Sequence, residues 1–212
     1  MHIRHARQED AGFLAWVMLA SSRGPVPRGM WDLIIGADDA GCLEYLRRLA
    51  LSEPRSLCHF ERFWVAEVAG QPAAALCTFS LADNPWGAVG QAKAAVQRDL
   101  GWSHADVTAS ERRALPLWVC ALPDIGADWQ VEFVATRPEH RRQGLVQALI
   151  DRALLEGRAV GSRLAQITVF IGNDPAIAAY QKAGFTVNDE RRCPQVEALL
   201  GTPGFARLTR SL

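Results

Sequence analysis

The sequence predicts an α/β fold, one sheet with helices packed over it, and three observations carry that expectation. Strand-like and helix-like segments alternate from Trp129 onward, two short apolar runs flank a turn at 69–72, and an alternating run with an acid-led apolar segment opens the chain. A chain of 212 residues buries roughly 70% of its unfolded-state surface, so neither a metal nor a disulfide is needed to hold it folded. Hydrophobic residues at 49% and charged residues at 22% exclude a disordered or fibrous protein. Lys plus Arg and Asp plus Glu each number 23, so no overall basic field draws in nucleic acid or an anionic membrane. Recognition must be local.

In chain order, His2–Arg7 alternates as a first strand, and Glu9 and Asp10 mark the start of a helix that runs to about Ser22. Arg23–Arg28 breaks regular structure. Leu33, Ile34, Cys42, Leu43, Tyr45, Leu46 and Leu49 then recur at helical spacing until Ser52–Pro54. Phe63–Val68 and Ala73–Ser80 are the arms of a hairpin around Ala69-Gly70-Gln71-Pro72. Residues 82–128, with Trp86, Trp102 and Trp118, are too long for a plain loop and read as a helical insertion, in which Thr108-Ala109-Ser110-Glu111 is a capping box opening one helix. There follow a strand (Trp129–Thr136), a helix (Gln143 to about Gly157), a strand (Leu164–Ile171), a helix (Pro175–Ala183) and a strand (Phe185–Asn188). After a turn at Pro203-Gly204, Phe205–Arg210 is a last short strand. The whole, 1–212, reads as a single domain.

Cys42, Cys58, Cys77, Cys120 and Cys193 are odd in number and widely spread, with no C-x-x-C pair and no histidine at zinc spacing. They are expected to be reduced thiols of a cytoplasmic protein that holds no metal. Ala11–Ala20 imitates the apolar core of a secretory signal, but Glu9 and Asp10 stand where such a signal carries positive charge. No run reaches the ~18 apolar residues of a membrane span.

The chemistry concentrates in Val134-Ala-Thr-Arg-Pro-Glu-His-Arg-Arg-Gln-Gly-Leu-Val146. A strand ends at Thr136, Pro138 breaks the chain, and Arg141, Arg142, Gln143 and Gly144 lead directly into an apolar helix. Unpaired N–H groups at that positive helix end, a glycine for close approach and arginines for charge-assisted bonds suit a phosphate or pyrophosphate. Neither G-x-x-x-x-G-K-[ST] nor G-x-G-x-x-G is present, which removes support for a nucleotide triphosphatase or a nicotinamide dehydrogenase. Taken alone, the loop reads equally well as a solvated basic turn before a surface helix.

Further on, a strand ends at Ile171-Gly172, and Asn173-Asp-Pro-Ala-Ile-Ala-Ala-Tyr180-Gln-Lys-Ala-Gly184-Phe185 opens a helix that closes at glycine. An R-x-x-G-x-G/A loop after a V-x-x-x-P strand exit, followed by N-x-x-A-x-x-x-Y-x-x-x-G-F, resembles the GCN5-related N-acetyltransferase (GNAT) superfamily. The resemblance covers residues 129–188, and the opening strand and helix agree with it; residues 82–128 match nothing in it. It implies a mixed, mostly antiparallel sheet of six to seven strands, splayed at the centre, with helices on both faces. It also implies acetyl-CoA as donor, no metal, and transfer of the acetyl group to a primary amine by direct attack on the thioester. Backbone groups of Val134, Ala135 and Thr136 would then pair with the pantetheine arm, and Arg141 with the amides of Arg142, Gln143, Gly144, Leu145, Val146 and Gln147 would cradle the pyrophosphate. Asn173 would bond the CoA arm at the splay, and Tyr180 would face the sulfur. In one departure, the last Gly/Ala position of the loop signature holds Val146, whose β-branched side chain is expected to crowd the phosphate.

In that reading an N–H at Val134 or Ala135 holds the developing oxyanion, and Tyr180 protonates the departing thiolate. Glu132 is the candidate base because strand alternation puts it on one face with Val134; Gln166 and Thr168 on the next strand cannot act as bases, which leaves Glu132 or a water relay. Other readings stand beside these. Tyr180 also suits a helix residue packed on the sheet, Glu132 a carboxylate paired with arginine, Asn173 a helix cap, and His140 either a solvated loop residue or one that touches a phosphate. The insertion tryptophans with Trp129 suit the walls of an acceptor pocket, core packing or an intersubunit contact; Asp124 and Asp128 suit either attraction of an amine or turn capping. The expected partner is a small-molecule amine or peptide acceptor, with a homodimer compatible with the sequence. The alternatives in function are a CoA- or acyl-CoA-binding sensor or scaffold without turnover, and transfer to a protein N-terminus or lysine.

Overall fold

The computed structural model describes residues 1–83 and 85–212, with the backbone alone at Pro85. β1 (His2–His5), β2 (Phe63–Val68), β3 (Gln71–Ser80), β4 (Trp129–Thr136), β5 (Leu164–Phe170), β6 (Thr186–Arg192) and β7 (Gly204–Ser211) form a seven-stranded sheet in the order β1-β2-β3-β4-β5-β7-β6. Every pairing is antiparallel except β4–β5. That parallel ladder consists of Trp129↔Ala165, Gln130↔Gln166 and Val131↔Ile167, although β4 continues to Thr136 and β5 to Phe170. Beyond Val131 the two central strands part, so the sheet is mixed, mostly antiparallel and splayed at its centre, as the resemblance implies.

Helices α1 (Ala11–Arg23), α2 (Met30–Ile35), α3 (Asp39–Leu49), α4 (Pro85–Asp99), α5 (His104–Val119), α6 (Leu145–Ala159), α7 (Asp174–Lys182) and α8 (Pro194–Leu200) cover both faces. On one face Leu14, Val17 and Met18 of α1, Tyr45, Leu46 and Leu49 of α3, and Ala92 and Val96 of α4 pack on Phe63, Val65, Cys77 and Phe79. On the other, Leu149, Ile150 and Ala153 of α6 and Tyr180 of α7 pack on Leu76, Val131, Ile167 and Leu208. Each large aliphatic side chain so buried contributes roughly 1.5–3 kcal/mol, and the two apolar layers hold the open sheet rigid on either side of the splay. A smaller cluster joins Leu33 of α2, Leu117 of α5 and Val196 and Leu200 of α8.

The insertion is helical, with Asn84 outside the described residues, but its helix starts elsewhere than expected. Thr108–Glu111 lies inside α5, whose true cap is Ser103: its hydroxyl accepts from the Asp106 N–H at 3.3 Å, and the Asp106 carboxylate accepts from the Ser103 N–H at 2.8 Å. Ser110 instead donates to the Ile34 carbonyl at 2.5 Å and Arg113 to the Leu33 carbonyl at 2.7 Å, fastening the insertion to α2. The apolar spacing from Leu33 to Leu49 is divided between α2 and α3 by Gly36, which takes a left-handed φ of 72°. α8 was not foreseen, although Pro194 at its first position and Gly201 at its end are ordinary helix punctuation, and β6 runs to Arg192 rather than stopping at Asn188.

The cysteines require a correction. Cys120 and Cys193 form a disulfide with a Cα–Cα distance of 6.0 Å, while Cys42, Cys58 and Cys77 are free and buried. A separation of 73 residues leaves no local spacing to betray the pair; the fold joins the end of α5 to the turn between β6 and α8. Among the described residues, no helix is long and apolar enough to cross a membrane.

Candidate active site

β4 carries a bulge where it leaves β5. Glu132 stands opposite Cys77 and Ala135 opposite Ala75, so Phe133 and Val134 share the single partner position of Leu76, and Phe133 takes a φ of 51°. The extra residue resets the alternation. Phe133 and Ala135 pack toward α1, and Val134 packs toward α6. Glu132, opposite the α1-facing Cys77, therefore does not share a face with Val134, contrary to the expectation from simple period-two counting.

Glu132 is half-buried, and its Oε1 accepts from Gln130 Nε2 at 2.8 Å rather than from an arginine. Burial pushes its carboxyl up to about 8, against the downward pull of the Gln130 amide. A carboxyl that titrates near neutrality is suited to accept a proton there. Tyr180 reaches the splay from α7 on the other face, 7% exposed within the α6-side layer. Its hydroxyl has no protein hydrogen-bond partner among the described residues. Burial first, and the nearby Glu132 charge second, raise the phenol, so it holds its proton throughout the neutral range.

Beyond β4, a 3-10 turn at Pro138–His140 passes through Arg141 to Arg142, at a φ of 60°, and Gly144, at 79°, which caps α6. The first intrahelical bond runs from the Ala148 N–H to the Gly144 carbonyl at 3.1 Å. The N–H groups of Arg142 through Gln147 consequently have no protein acceptor among the described residues, and they stand at the positive end of a helix. The exposed side chains of Arg141 and Arg142 flank them. Val146, partly buried, packs against the apolar layer under α6. Arg137 anchors the start of the loop, its guanidinium 5.1 Å from the Phe13 ring centre and 5.2 Å from that of Trp16 on α1.

From Glu132 to Thr136, β4 has no strand beside it on the β5 side, and the Thr136 hydroxyl is buried without a partner. Across the gap, Asn173 begins α7 but does not cap it through its side chain. Its amide lies against the α1–α2 turn, where a Cβ added to Gly24 would come within 2.9 Å of Asn173 Nδ2.

A sequence profile of the acetyltransferase (GNAT) family matches residues 37–185. The chain belongs to this family. No curated protein sequence matches it. Its fold is similar to that of a solved acetyltransferase, with TM-score 0.70 and 16% identity over 100% of this chain and 99% of the other. It is equally similar to an N-acetyltransferase from Staphylococcus aureus Mu50, with TM-score 0.70 and 18% identity over 99% of this chain and 100% of the other. A more distant Mycobacterium tuberculosis structure, in complex with CoA, has TM-score 0.50 and 14% identity over 100% of this chain and 99% of that one. The protein is thus a GNAT acetyltransferase, of a family that uses acetyl-CoA and acetylates amines.

Within this GNAT fold several candidate residues fall outside the splay. Trp129 is buried on the α6 side, Trp102 packs on Tyr45 with ring centres 5.6 Å apart, and Trp86 and Trp118 are about half exposed, so the four tryptophans wall no common pocket. Asp124 accepts from the Gly126 N–H at 2.9 Å as a local turn cap, whereas Asp128 accepts from the N–H groups of Arg163 and Leu164 and ties the start of β4 to the start of β5. His140 ends the 3-10 turn ahead of the free amides. Gln130 and Arg207, which sequence reasoning passed over, and Gln166, which it set aside as no base, form a chain of contacts leading to Glu132. Their signal was polar residues at alternate positions of two otherwise apolar central strands, Gln130 and Glu132 on β4 and Gln166 and Thr168 on β5.

Proposed function

We propose that this enzyme moves the acetyl group of acetyl-CoA to the primary amine of a small molecule or peptide by direct attack, with Glu132 as base and Tyr180 as acid. The observation that carries the reading is the row of free amides from Arg142 to Gln147 at the mouth of a splay flanked by those two side chains. The residues suit acetyl-CoA: the amides with Arg141 and Arg142 match a pyrophosphate, and the unpaired edge of Val134, Ala135 and Thr136, with its partnerless hydroxyl, matches an amide-bearing arm. Asn173, at the start of α7, would bond that arm.

When bound, acetyl-CoA supplies an activated thioester. Glu132 takes a proton from the amine as its nitrogen bonds to the carbonyl carbon, and an N–H at Val134 or Ala135 donates to the carbonyl oxygen as charge builds there. Tyr180 gives its proton to the sulfur as the carbon–sulfur bond breaks. The raised phenol makes that transfer thermodynamically uphill in isolation, so its contribution depends on the thiolate forming directly against the hydroxyl. Calorimetry with CoA, together with thioester consumption over a panel of primary amines, tests the reading. Tyr180→Phe is expected to slow turnover about 10²-fold with CoA affinity nearly unchanged. Normal turnover in that variant removes Tyr180 from the mechanism, and absence of CoA binding to the wild type removes the donor assignment.

A further inference from the structure

On the α1 side of the sheet a row of side chains crosses four strands and ends at Glu132. Arg207 on β7 is 3% exposed and is held by Asp189 of β6 through two bonds of 2.8 and 2.6 Å. Its Nη1 donates to the Pro123 carbonyl at 2.7 Å and faces Gln166 Oε1 at 3.4 Å. Gln166 Nε2 donates to Gln130 Oε1 at 2.7 Å. Gln130 Nε2 donates to Glu132 Oε1 at 2.8 Å and to the Val131 carbonyl at 3.2 Å.

The direction of this row follows from chemistry. A guanidinium only donates, so the atom of Gln166 turned toward Arg207 is the carbonyl oxygen; its NH2 then faces the oxygen of Gln130, whose own NH2 faces the carboxylate. An obligate donor at one end and an acceptor at the other fix both amides, and the long Arg207–Gln166 contact acts through charge more than through bond geometry. Among the described residues Glu132 Oε2 has no protein partner.

We propose that Gln130 and Gln166 are positioning residues for Glu132: anchored on Arg207, Gln166 orients Gln130, which occupies Oε1 and leaves Oε2 as the oxygen that takes the amine proton. The inference rests on the reading of Glu132 as base. Each amide keeps the hydrogens it donates, so the row moves no proton; it fixes the carboxylate plane and favours its charged form against the effect of burial. The other titratable groups that face Glu132 are Cys77 on β3, Cys58 in the segment before β2 and Tyr180 on α7. Burial raises all three, so they stay neutral while Glu132 titrates.

Gln130→Met keeps the length and removes the donor. The Glu132 carboxyl carbon, followed by NMR in 13C-labelled protein from about pH 5 to about pH 10, is expected to titrate roughly half a unit to one unit higher in this variant, and by less in the same direction in Gln166→Met. The acidic limb of kcat/KM, measured with whichever primary amine of the panel is turned over, should move with it, while calorimetric CoA affinity stays at the wild-type value. Unchanged midpoints in the variants overturn the proposal. If Gln130→Met fails to fold, Gln166→Met decides alone. Glu132→Gln separates the two layers: full activity there ends the base assignment, whereas loss of activity there with an unmoved Glu132 midpoint in Gln130→Met ends the positioning role only.

Discussion

The two sides of the splay are built by different means. The side proposed for the donor is main chain: one contiguous stretch, Val134 to Gln147, presents an unpaired strand edge and a run of free amides, with left-handed φ at Arg142 and Gly144 in the turn. The opposite side is assembled from side chains of distant segments. Gln130, Gln166, Arg207 and Asp189 come from four strands, and the insertion returns along residues 120–123, held by the Cys120–Cys193 bond, by Arg191 on the Ala121 carbonyl and by Arg207 on the Pro123 carbonyl. A main-chain site needs little from the sequence beyond a strand exit, a glycine and a helix start. A side-chain site needs particular residues at positions that only the fold brings together.

The largest expected effect tests whether the side-chain half carries the chemistry. Glu132→Gln should lower kcat/KM for an amine by about 10²–10⁴-fold and leave CoA affinity intact, because the proposed role of the carboxylate is toward the acceptor and not the donor. In the wild type, activity should rise with pH as the carboxyl ionises through about 8. Stability should move the opposite way. The folded carboxyl binds its proton up to about 8, whereas the unfolded one releases it near the ordinary glutamate value of 4.5, so the folded state holds more protons between those limits and loses stability as pH rises through them. Melting curves of Glu132→Gln should lack that decline, and a variant with the wild-type pH profile of stability would show the carboxyl to be solvated.

The same contrast explains what was legible in the sequence. The alternation of strands and helices after Trp129, the turn before α6 and the α7 pattern with Tyr180 are local, and the structure has strands, turn and helices at those segments. The face of Val134 was not legible, since a bulge at Phe133 shifts the alternation by one residue and nothing in Glu-Phe-Val announces a positive φ at a bulky aromatic. The disulfide was hidden by its 73-residue separation, and the role of Gln166 by attention to bases alone when its use is as a donor. Thr108–Glu111 matched a capping pattern as well as Ser103–Asp106 did; what decided between them was the burial of Ser110 against α2, a tertiary fact.

An intermediate effect tests whether the insertion is held independently of the donor side. Cys120→Ser removes a link that closes a long loop, with an expected loss of about 2–4 kcal/mol in stability. The cost should appear in denaturant midpoints of the variant, and in the wild type after treatment with a dithiol. CoA affinity should stay the same, because α6 and the loop before it make none of these contacts. A parallel loss of CoA binding would show the two sides to be one cooperative unit.

The smallest effect isolates the main-chain half. Gly144 takes a φ of 79°, and a Cβ built there meets nothing within 4 Å, so Gly144→Ala adds no clash and acts only through the backbone. An alanine in the left-handed region costs about 1–2 kcal/mol, which the loop escapes only by turning its amides. CoA affinity should weaken about tenfold, with melting temperature little changed. Gly70→Ala supplies the control: its φ of 75° and open surroundings impose the same strain in the β2–β3 hairpin, far from the free amides. It should lower stability and leave CoA affinity alone. Equal CoA affinities in the two alanine variants would mean that the amides from Arg142 to Gln147 are not what holds the pyrophosphate.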